Sequence, residues 1–310
     1  MCYSAQVYAE LKKFIRATGM KIQAKEYVKL YWDQGSPYAK RPKVPRAMEI
    51  EVLNEGPEEL AKVIRGYDTR EMAELEQELF KQKKRVADGE RKLQTKVTKA
   101  AENDVRVGTD KMGKIQARIE ALKRREPKPS DSRMFPGYFV PVLVIEEGQP
   151  VVKPMRYQCR PAGKPAFYDT KYPGTYNARR DNLEGFWKDQ FGHTHGLMIA
   201  DVFYENVEVD GKNQVLAFTP REGGPMFIAC LVSHWTDPKG EEPDLVSFAA
   251  ITDEPEPEVA AAGHDRTIIN IKPEHIEAWL TPTDRSLADL YAIFDDKQHP
   301  YYEHEVARAA

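Results

Sequence analysis

The chain has 310 residues, of which 41% are hydrophobic and 31% charged, enough for one large domain or two ordinary ones with a real core. No apolar run approaches the roughly 18 residues of a membrane helix. The start, Met1-Cys2-Tyr3-Ser4 followed by Lys12, Lys13 and Arg16, lacks an apolar signal region and a small-residue cleavage site, which predicts a cytoplasmic protein away from membranes. Net charge is −3, but residues 1–130 carry 29 Lys+Arg against 20 Asp+Glu (+9), and residues 131–310 carry 17 against 29 (−12). That asymmetry fits a nucleic-acid contact, attraction between two halves, or solvated helix faces.

Residues 4–32 show a helical spacing, with Val7, Leu11, Phe14 and Ile15 on one face, Gly19 interrupting, and Tyr27, Val28, Leu30, Tyr31 and Trp32 following. Residues 33–46 hold three prolines and a basic cluster and read as a loop. Pro57-Glu58-Glu59 suits a helix start, since proline and acids favour the first turn. The clearest helix is expected over 69–99, with Thr69 as N-cap. Met72, Leu79, Val86 and Leu93 recur every seven residues with Leu75 between, while Gln82 and Gly89 break the second seam position. Met112, Ile115, Ile119 and Leu122 form a second amphipathic stretch after Gly108, which predicts an antiparallel helical hairpin with a glycine-containing bend.

After residues 127–131 (PKPSD) the composition turns to proline, glycine, aromatic and β-branched residues. Strands are predicted over 138–145, 196–204, 214–219, 226–232 and 245–251, and a short helix over 273–280. Cys2, Cys159 and Cys230 are too few and scattered for a disulfide framework, and they lack the paired spacing of a zinc site. His193 and His195 have no HExxH or CxxC beside them and read as a polar loop. No metal and no cofactor is expected.

Cys2 carries the most suggestive chemistry. With Met1 removed, a cysteine at the N-terminus offers an α-amine of pKa ~7.7–8.0 and a thiol of pKa ~8.5 on one residue. The amine forms a Schiff base with an aldehyde, and the thiol then closes on the imine carbon as a five-membered thiazolidine. On position alone, an incidental cysteine or an N-terminal nucleophile hydrolase remains open.

Four separated segments bear on the choice. They are Met1-Cys2; Asn177-Ala178-Arg179-Arg180-Asp181-Asn182-Leu183; Ala200-Asp201-Val202-Phe203-Tyr204-Glu205; and His264-Asp265-Arg266, preceded by Phe248-Ala249-Ala250-Ile251-Thr252. In this order they resemble the motifs of the SOS-response-associated-peptidase (SRAP) family, well over about 133–285 and loosely over 1–16. The resemblance implies an α+β fold with a mostly antiparallel, partly barrel-like sheet. It implies a single domain over 1–310, with a core of 1–16 and 131–310 and a mainly helical insertion over 17–130.

The resemblance also implies roles. Cys2 is the nucleophile, Asn177 orients its amine, Glu205 assists ring opening and imine chemistry at the end of an apolar strand, and His264 moves protons. Arg179 is implied as a phosphate contact, Arg156 and Arg266 as further DNA contacts, and Tyr157 as a base-stacking ring. The activity implied is covalent capture of abasic sites in single-stranded DNA, in the DNA damage response, with abasic-site lyase activity as a side reaction. A cysteine peptidase acting on its own N-terminus or another protein, and a non-catalytic DNA-binding or scaffold protein, are the rival readings. This chain departs from the family pattern at Tyr3 and Ser4, at Tyr157 and Gln158 where tryptophan and glycine are usual, at Asn206 for tryptophan, and at Thr267-Ile268 for Met-Pro. The reacting residues are kept and the DNA-facing shell is altered, so the basic insertion is a candidate source of replacement contacts.

Overall fold

The computed structural model describes residues 4–7, 21–22, 41–209 and 211–307. The chain divides into two compact units, Arg46–Pro127 and the remainder, through Pro45 and from Lys128 onward. Among the described residues no helix is long and apolar enough to cross a membrane.

The Arg46–Pro127 unit is helical, with α1 (Arg46–Glu55), α2 (Glu58–Thr95) and α3 (Lys99–Lys123). Pro57 and the acidic pair Glu58 and Glu59 start α2 as expected. The helix runs on without interruption, so Thr69 is not an N-cap. It lies inside the helix and its hydroxyl donates to the Arg65 carbonyl at 2.9 Å. The bend of the hairpin is at Lys96–Thr98, where the Thr98 hydroxyl accepts from the Ala101 amide. Gly108 is therefore no bend. It sits in mid-α3, and a Cβ there would meet Val86 Cγ2 at 2.5 Å. Gly89 on α2 faces Val105 in the same way, at 2.9 Å. The two glycines let the helix backbones approach, and Gln82 and Gly89, which break the apolar seam in sequence, are buried in it. At the other end Arg46 ties the three helices together. It donates to both Asp68 oxygens at 3.0 Å, to Glu49 at 2.9 Å and to the Leu122 carbonyl at 2.7 Å.

The second unit is built on a large mixed sheet. Its strands are β1 (Ser4–Val7), β2 (Lys21–Ile22), β3 (Arg133–Met134), β4 (Phe139–Glu146), β5 (Gln149–Tyr157), β6 (Asn177–Arg179), β7 (His195–Val209), β8 (Lys212–Pro220), β9 (Met226–Trp235), β10 (Leu245–Asp253), β11 (Thr267–Ile268) and β12 (Tyr302–Val306). Strands β1 and β2 overturn the helical reading of residues 4–7 and 21–22. Pairing of β1 between β3 and β7, and of β2 with β5, prevails over the local 3.6-residue spacing. The other residues of that expected helix, and residues 33–40, lie outside the described residues.

Pairing runs β7 to β9, β9 to β10, β10 to β5, β5 to β4 and β4 back to β7, so five strands close a ring. Among the described residues, only β10 with β5 and β6, and β2 with β5, are parallel. This is the mostly antiparallel, partly barrel-like α+β architecture expected from the sequence. Met198, Ala200, Ile228, Cys230, Phe248, Ala250, Val142 and Met155 fill the inner face. The alternate residues Leu197, Ile199, Ala229, Leu231, Ala249 and Ile251 face outward. They are covered by Trp187 and Phe191 and by the helices α6 (Ile276–Leu280) and α7 (Leu287–Asp295). Two short helices, α4 (Tyr168–Lys171) and α5 (Pro257–Ala261), lie in the connections. Gly196 lets β7 pass between its neighbours, since a Cβ there would meet Val142 Cγ1 at 2.8 Å.

His195 is not in a polar loop. It opens β7 and is buried, with its ring stacked on Trp279 at a centroid distance of 3.8 Å. The Gly192 amide donates to Nε2 at 3.0 Å, so Nδ1 carries the proton and donates to the Trp279 carbonyl at 2.9 Å. Burial pushes its pKa from 6.5 down to about 3.

Two expectations follow for stability. Gly108→Ala should destabilise the hairpin by about 1–3 kcal/mol because stiff Val86 has to move. Gly113→Ala on the same helix, where a Cβ meets nothing within 4 Å, should stabilise it by ~0.5–1 kcal/mol. Urea unfolding followed by circular dichroism reads both, and equal effects would contradict the close approach. His195 stays neutral in the fold, whereas in the unfolded chain it protonates near 6.5. The unfolded state then binds more protons below that pH, so this contribution is complete above 6.5 and is lost as pH falls toward 3. Between pH 6.5 and 5, His195→Gln should lower the slope of stability against pH by up to ~1.4 kcal/mol per unit. Parallel slopes from urea midpoints would refute it.

Candidate active site

Strand β7 positions the central carboxylate through a break in its own alternation. Gln6 of β1 pairs with Val202, but Val7 pairs with Ala200, so Asp201 is an extra residue, a β-bulge. Before the bulge the even-numbered residues Met198 and Ala200 face inward. After it the odd-numbered Phe203 and Val207 do. Glu205 stands between Phe203 and Val207, opposite Leu216 of β8, and is 0% exposed. Without the extra residue it would share the outer face of Leu197 and Ile199.

His264 follows α5, its amide donating to the Val259 carbonyl, and its Nε2 lies 3.2 Å from Glu205 Oε2. Burial lowers its pKa below 6.5, against the Arg266 carbonyl hydrogen bond, which raises it. Nδ1 lies 2.9 Å from that carbonyl and 3.3 Å from the Arg266 amide nitrogen. A protonated Nδ1 can donate to the carbonyl, and an unprotonated one can accept from the amide. Either tautomer is therefore supported, and Nε2 is able to give or take a proton facing Glu205.

Asn177 pairs with Ala250 in register on β6, which turns it to the inner face as well, while Ala178 and Ile251 turn outward. It is buried, and its Oδ1 accepts from the Tyr157 hydroxyl at 3.4 Å. The expected trio Asn177, Glu205 and His264 thus shares one side of the sheet, with the Glu205–His264 pair in direct contact. Cys2, the expected nucleophile, lies outside the described residues.

The expected DNA contacts divide. Arg179 is exposed and holds Asp181 through Nε at 3.0 Å and Nη2 at 2.5 Å. That hydrogen bond raises the pKa of Arg179 and lowers that of Asp181. Arg266 is buried, yet it lines a surface cleft of about 460 Å³ with Arg180, Asp181, Asp253, Glu254 and Tyr291. Arg156 is turned to its own chain. It donates to the Gln158 carbonyl and pairs at 2.7 Å with Asp169, which also takes Arg160. Tyr157 is 1% exposed, stacked on Phe248 at 5.3 Å and edge-on to Tyr176 at 5.7 Å. Its faces are filled by core, so it offers no platform to a base. Exposed rings cluster nearby in sequence at Phe167, Tyr172 and Phe186, at 63%, 45% and 37%. Tyr168 joins them, with its ring 4.5 Å from Tyr172 and stacked toward Phe186. Lys164 and Lys171 lie over Tyr168 and Tyr172. The signal for them in sequence is the run Lys164-Pro-Ala-Phe-Tyr-Asp-Thr-Lys-Tyr172, aromatic and basic residues interleaved. The bulge at Asp201 also leaves a trace, a charge inside an apolar strand. Among the described residues no group of three or more His, Cys, Asp or Glu is placed to hold a metal ion.

A family model described as SOS response associated peptidase (SRAP) matches residues 93–309. That span contains Asn177, Glu205 and His264 and begins after Cys2. No curated protein matches the chain. Among solved structures, the chain is similar to a protein from Bacteroides thetaiotaomicron, at 15% identity and a TM-score of 0.48 over 57% of this chain and 78% of that one. A protein from Bordetella bronchiseptica matches at 20% identity and 0.47, over 57% and 88%. A phage-related protein from the same organism matches at 18% and 0.44, over 61% and 86%. With more than two thirds of its length inside the matched span, the chain belongs to the SRAP family.

Proposed function

We propose that this protein captures the aldehyde of abasic sites in single-stranded DNA through Cys2, as a cytoplasmic DNA-damage factor with Arg46–Pro127 as an insertion in the SRAP core. The observation that carries the reading is the buried contact of His264 with Glu205 of β7, the strand along which the N-terminal segment pairs. Ser4 is in register with Tyr204, the neighbour of Glu205. The chain from Cys2 to Ser4 reaches at most about 7 Å.

In the proposed reaction the Cys2 amine, freed by loss of Met1, adds to C1′ of the ring-opened deoxyribose. A proton delivered to the hydroxyl of the carbinolamine lets it leave as water while the nitrogen gives up a proton, and an imine results. The Cys2 sulfur then forms a bond to the imine carbon while the thiol proton passes to nitrogen. The sum is one thiazolidine and one water. Glu205 and His264 suit the proton transfers because each can hold the proton the other gives up. Loss of a sugar proton from the imine instead gives strand cleavage, the lyase side reaction. Asn177 orients the amine, and Arg179 exchanges Asp181 for a phosphate. The base-stacking part passes from Tyr157 to the exposed rings of Phe167 and Tyr172.

Purified protein with a single strand bearing one abasic site should give a heat-stable shifted band on a denaturing gel, and Cys2→Ala should give none. Glu205→Gln, which keeps the volume, should slow the band by roughly 100-fold or more. A heat-stable band from Cys2→Ala without reductant sinks the mechanism. Cleavage of a protein at catalytic rates with no adduct would favour the peptidase reading. Phe167→Ala with Tyr172→Ala should cost ~1–3 kcal/mol per stacked base in binding an undamaged single strand. Unchanged affinity by fluorescence anisotropy would remove those rings from the interface.

A further inference from the structure

Helix α2 and the turn that follows it have a polarity along their length that packing does not require. Residues Glu58–Phe80 carry three basic side chains against seven acidic ones, and Lys81–Lys99 carry eight against two. Helix α2 extends roughly 57 Å, so the two stretches adjoin at Phe80 and Lys81 while their midpoints lie about 30 Å apart. Elsewhere in the hairpin, arginines are matched to acids: Arg46 with Glu49 and Asp68, Arg118 with Glu71, and Arg85 with Asp104. Beyond that last pair, Lys83, Lys84, Lys92, Lys96 and Lys99 are exposed, and no ion pair engages them among the described residues.

The basic half also has shape. Phe80, Lys84, Asp88, Arg91 and Thr95 follow at spacings of four, four, three and four residues, one stripe along α2. The stripe lies off the face of Gln82, Val86 and Gly89 that packs on α3. Phe80 is 72% exposed on it. At the turn the stripe opens into a notch of about 540 Å³ lined by Asp88, Arg91, Lys92, Thr95, Lys96 and Thr98.

From this placement we infer that the distal half of the hairpin is a docking surface for a nucleic-acid strand, holding its phosphodiester backbone through the five lysines with Phe80 against a base. The chemistry selects this partner over an acidic protein. Protein interfaces are depleted in lysine and close around an apolar core, and here the one large exposed aliphatic is Val97. A strand asks for spaced cations and an aromatic face, and this surface supplies both. The close approach at Gly89 and Gly108 holds the stripe in a fixed line, so no ordering of the helices is needed on binding.

The test uses the full chain carrying Cys2→Ala and DNA without any abasic site, so the fate of the crosslinking reading leaves its outcome untouched. Binding of a short single strand, and of the duplex of the same sequence, is followed by anisotropy across a salt series. It is compared with a variant carrying Lys83→Gln, Lys84→Gln, Lys92→Gln, Lys96→Gln and Lys99→Gln. Glutamine matches lysine in helix propensity, and circular dichroism checks that the helices persist. The variant should bind at least ~10-fold more weakly at low salt, and its slope of log affinity against log salt should flatten by up to ~3.5 for the single strand. Phe80→Ala should weaken the single strand and spare the duplex, which has no open base face. Unchanged affinity and slope for both DNAs would overturn the inference. Polyglutamate bound by the hairpin as strongly as DNA, and lost with the same five lysines, would overturn it in favour of an acidic protein.

Discussion

Strand β7 bonds to β1, β4, β8 and β9, so it joins the closing strands of the ring to the segment that carries the N-terminus. Its constraint is parity. Fifteen residues of uninterrupted alternation would satisfy the core at one end and put the wrong face inward at the other. The extra residue at Asp201 resolves this by letting Met198 and Ala200 fill the ring while Phe203, Glu205 and Val207 point the same way further along. A carboxylate that the sequence places on an apolar strand is thereby sealed from water against His264. The site exists because of a ladder irregularity, and the bulge and the carboxylate have to be inherited together.

Charge in the second unit is spent locally. Arg156 and Arg160 share Asp169, Arg180 holds Asp253 and Asp295, and Arg179 holds Asp181. Half-buried arginines of this kind position the backbone, and they cannot turn outward without leaving a carboxylate alone in low dielectric. Arg179 differs because its pair with Asp181 is exposed, where an ion pair is worth little and a phosphate offers the same bidentate geometry. The net acidity of residues 131–310 is thus compatible with a DNA contact at one exchanging arginine, while offering little long-range attraction.

Legibility followed the strength of periodic signals. The apolar runs at 138–145, 226–232 and 245–251 announced β4, β9 and β10 because both their faces are buried. Strand β5 escaped notice because Pro150 and Pro154 argue against a strand, yet Pro154 faces Pro141 across the ladder, two positions that need no amide donor. Strand β12 escaped because four of its five residues are exposed and it shows no alternation. Helix α7 is short, but Ser286 and Asp289 form a capping box that marks its start. In the hairpin, a glycine that composition marks as a bend is a close helix approach instead, because composition cannot separate the two. The residues of the candidate site are named in the sequence only by resemblance. Spacing alone carries nothing about a bulge that decides which way Glu205 points.

The departures from the family pattern become coherent once burial is known. Tyr157, where the family usually has tryptophan, closes over Phe248 and bonds Asn177, so its ring is committed to the core. Aromatic surface reappears on residues 167–172, and unpaired positive charge reappears at the far end of α2. Stacking and electrostatic attraction need no fixed geometry relative to the reacting atoms, since both act on any stretch of strand. Proton transfer does need it, to a few tenths of an ångström. Under the proposed chemistry, a chain facing these two requirements is free to move its strand-holding surfaces and bound to keep Glu205, His264 and Asn177 in place.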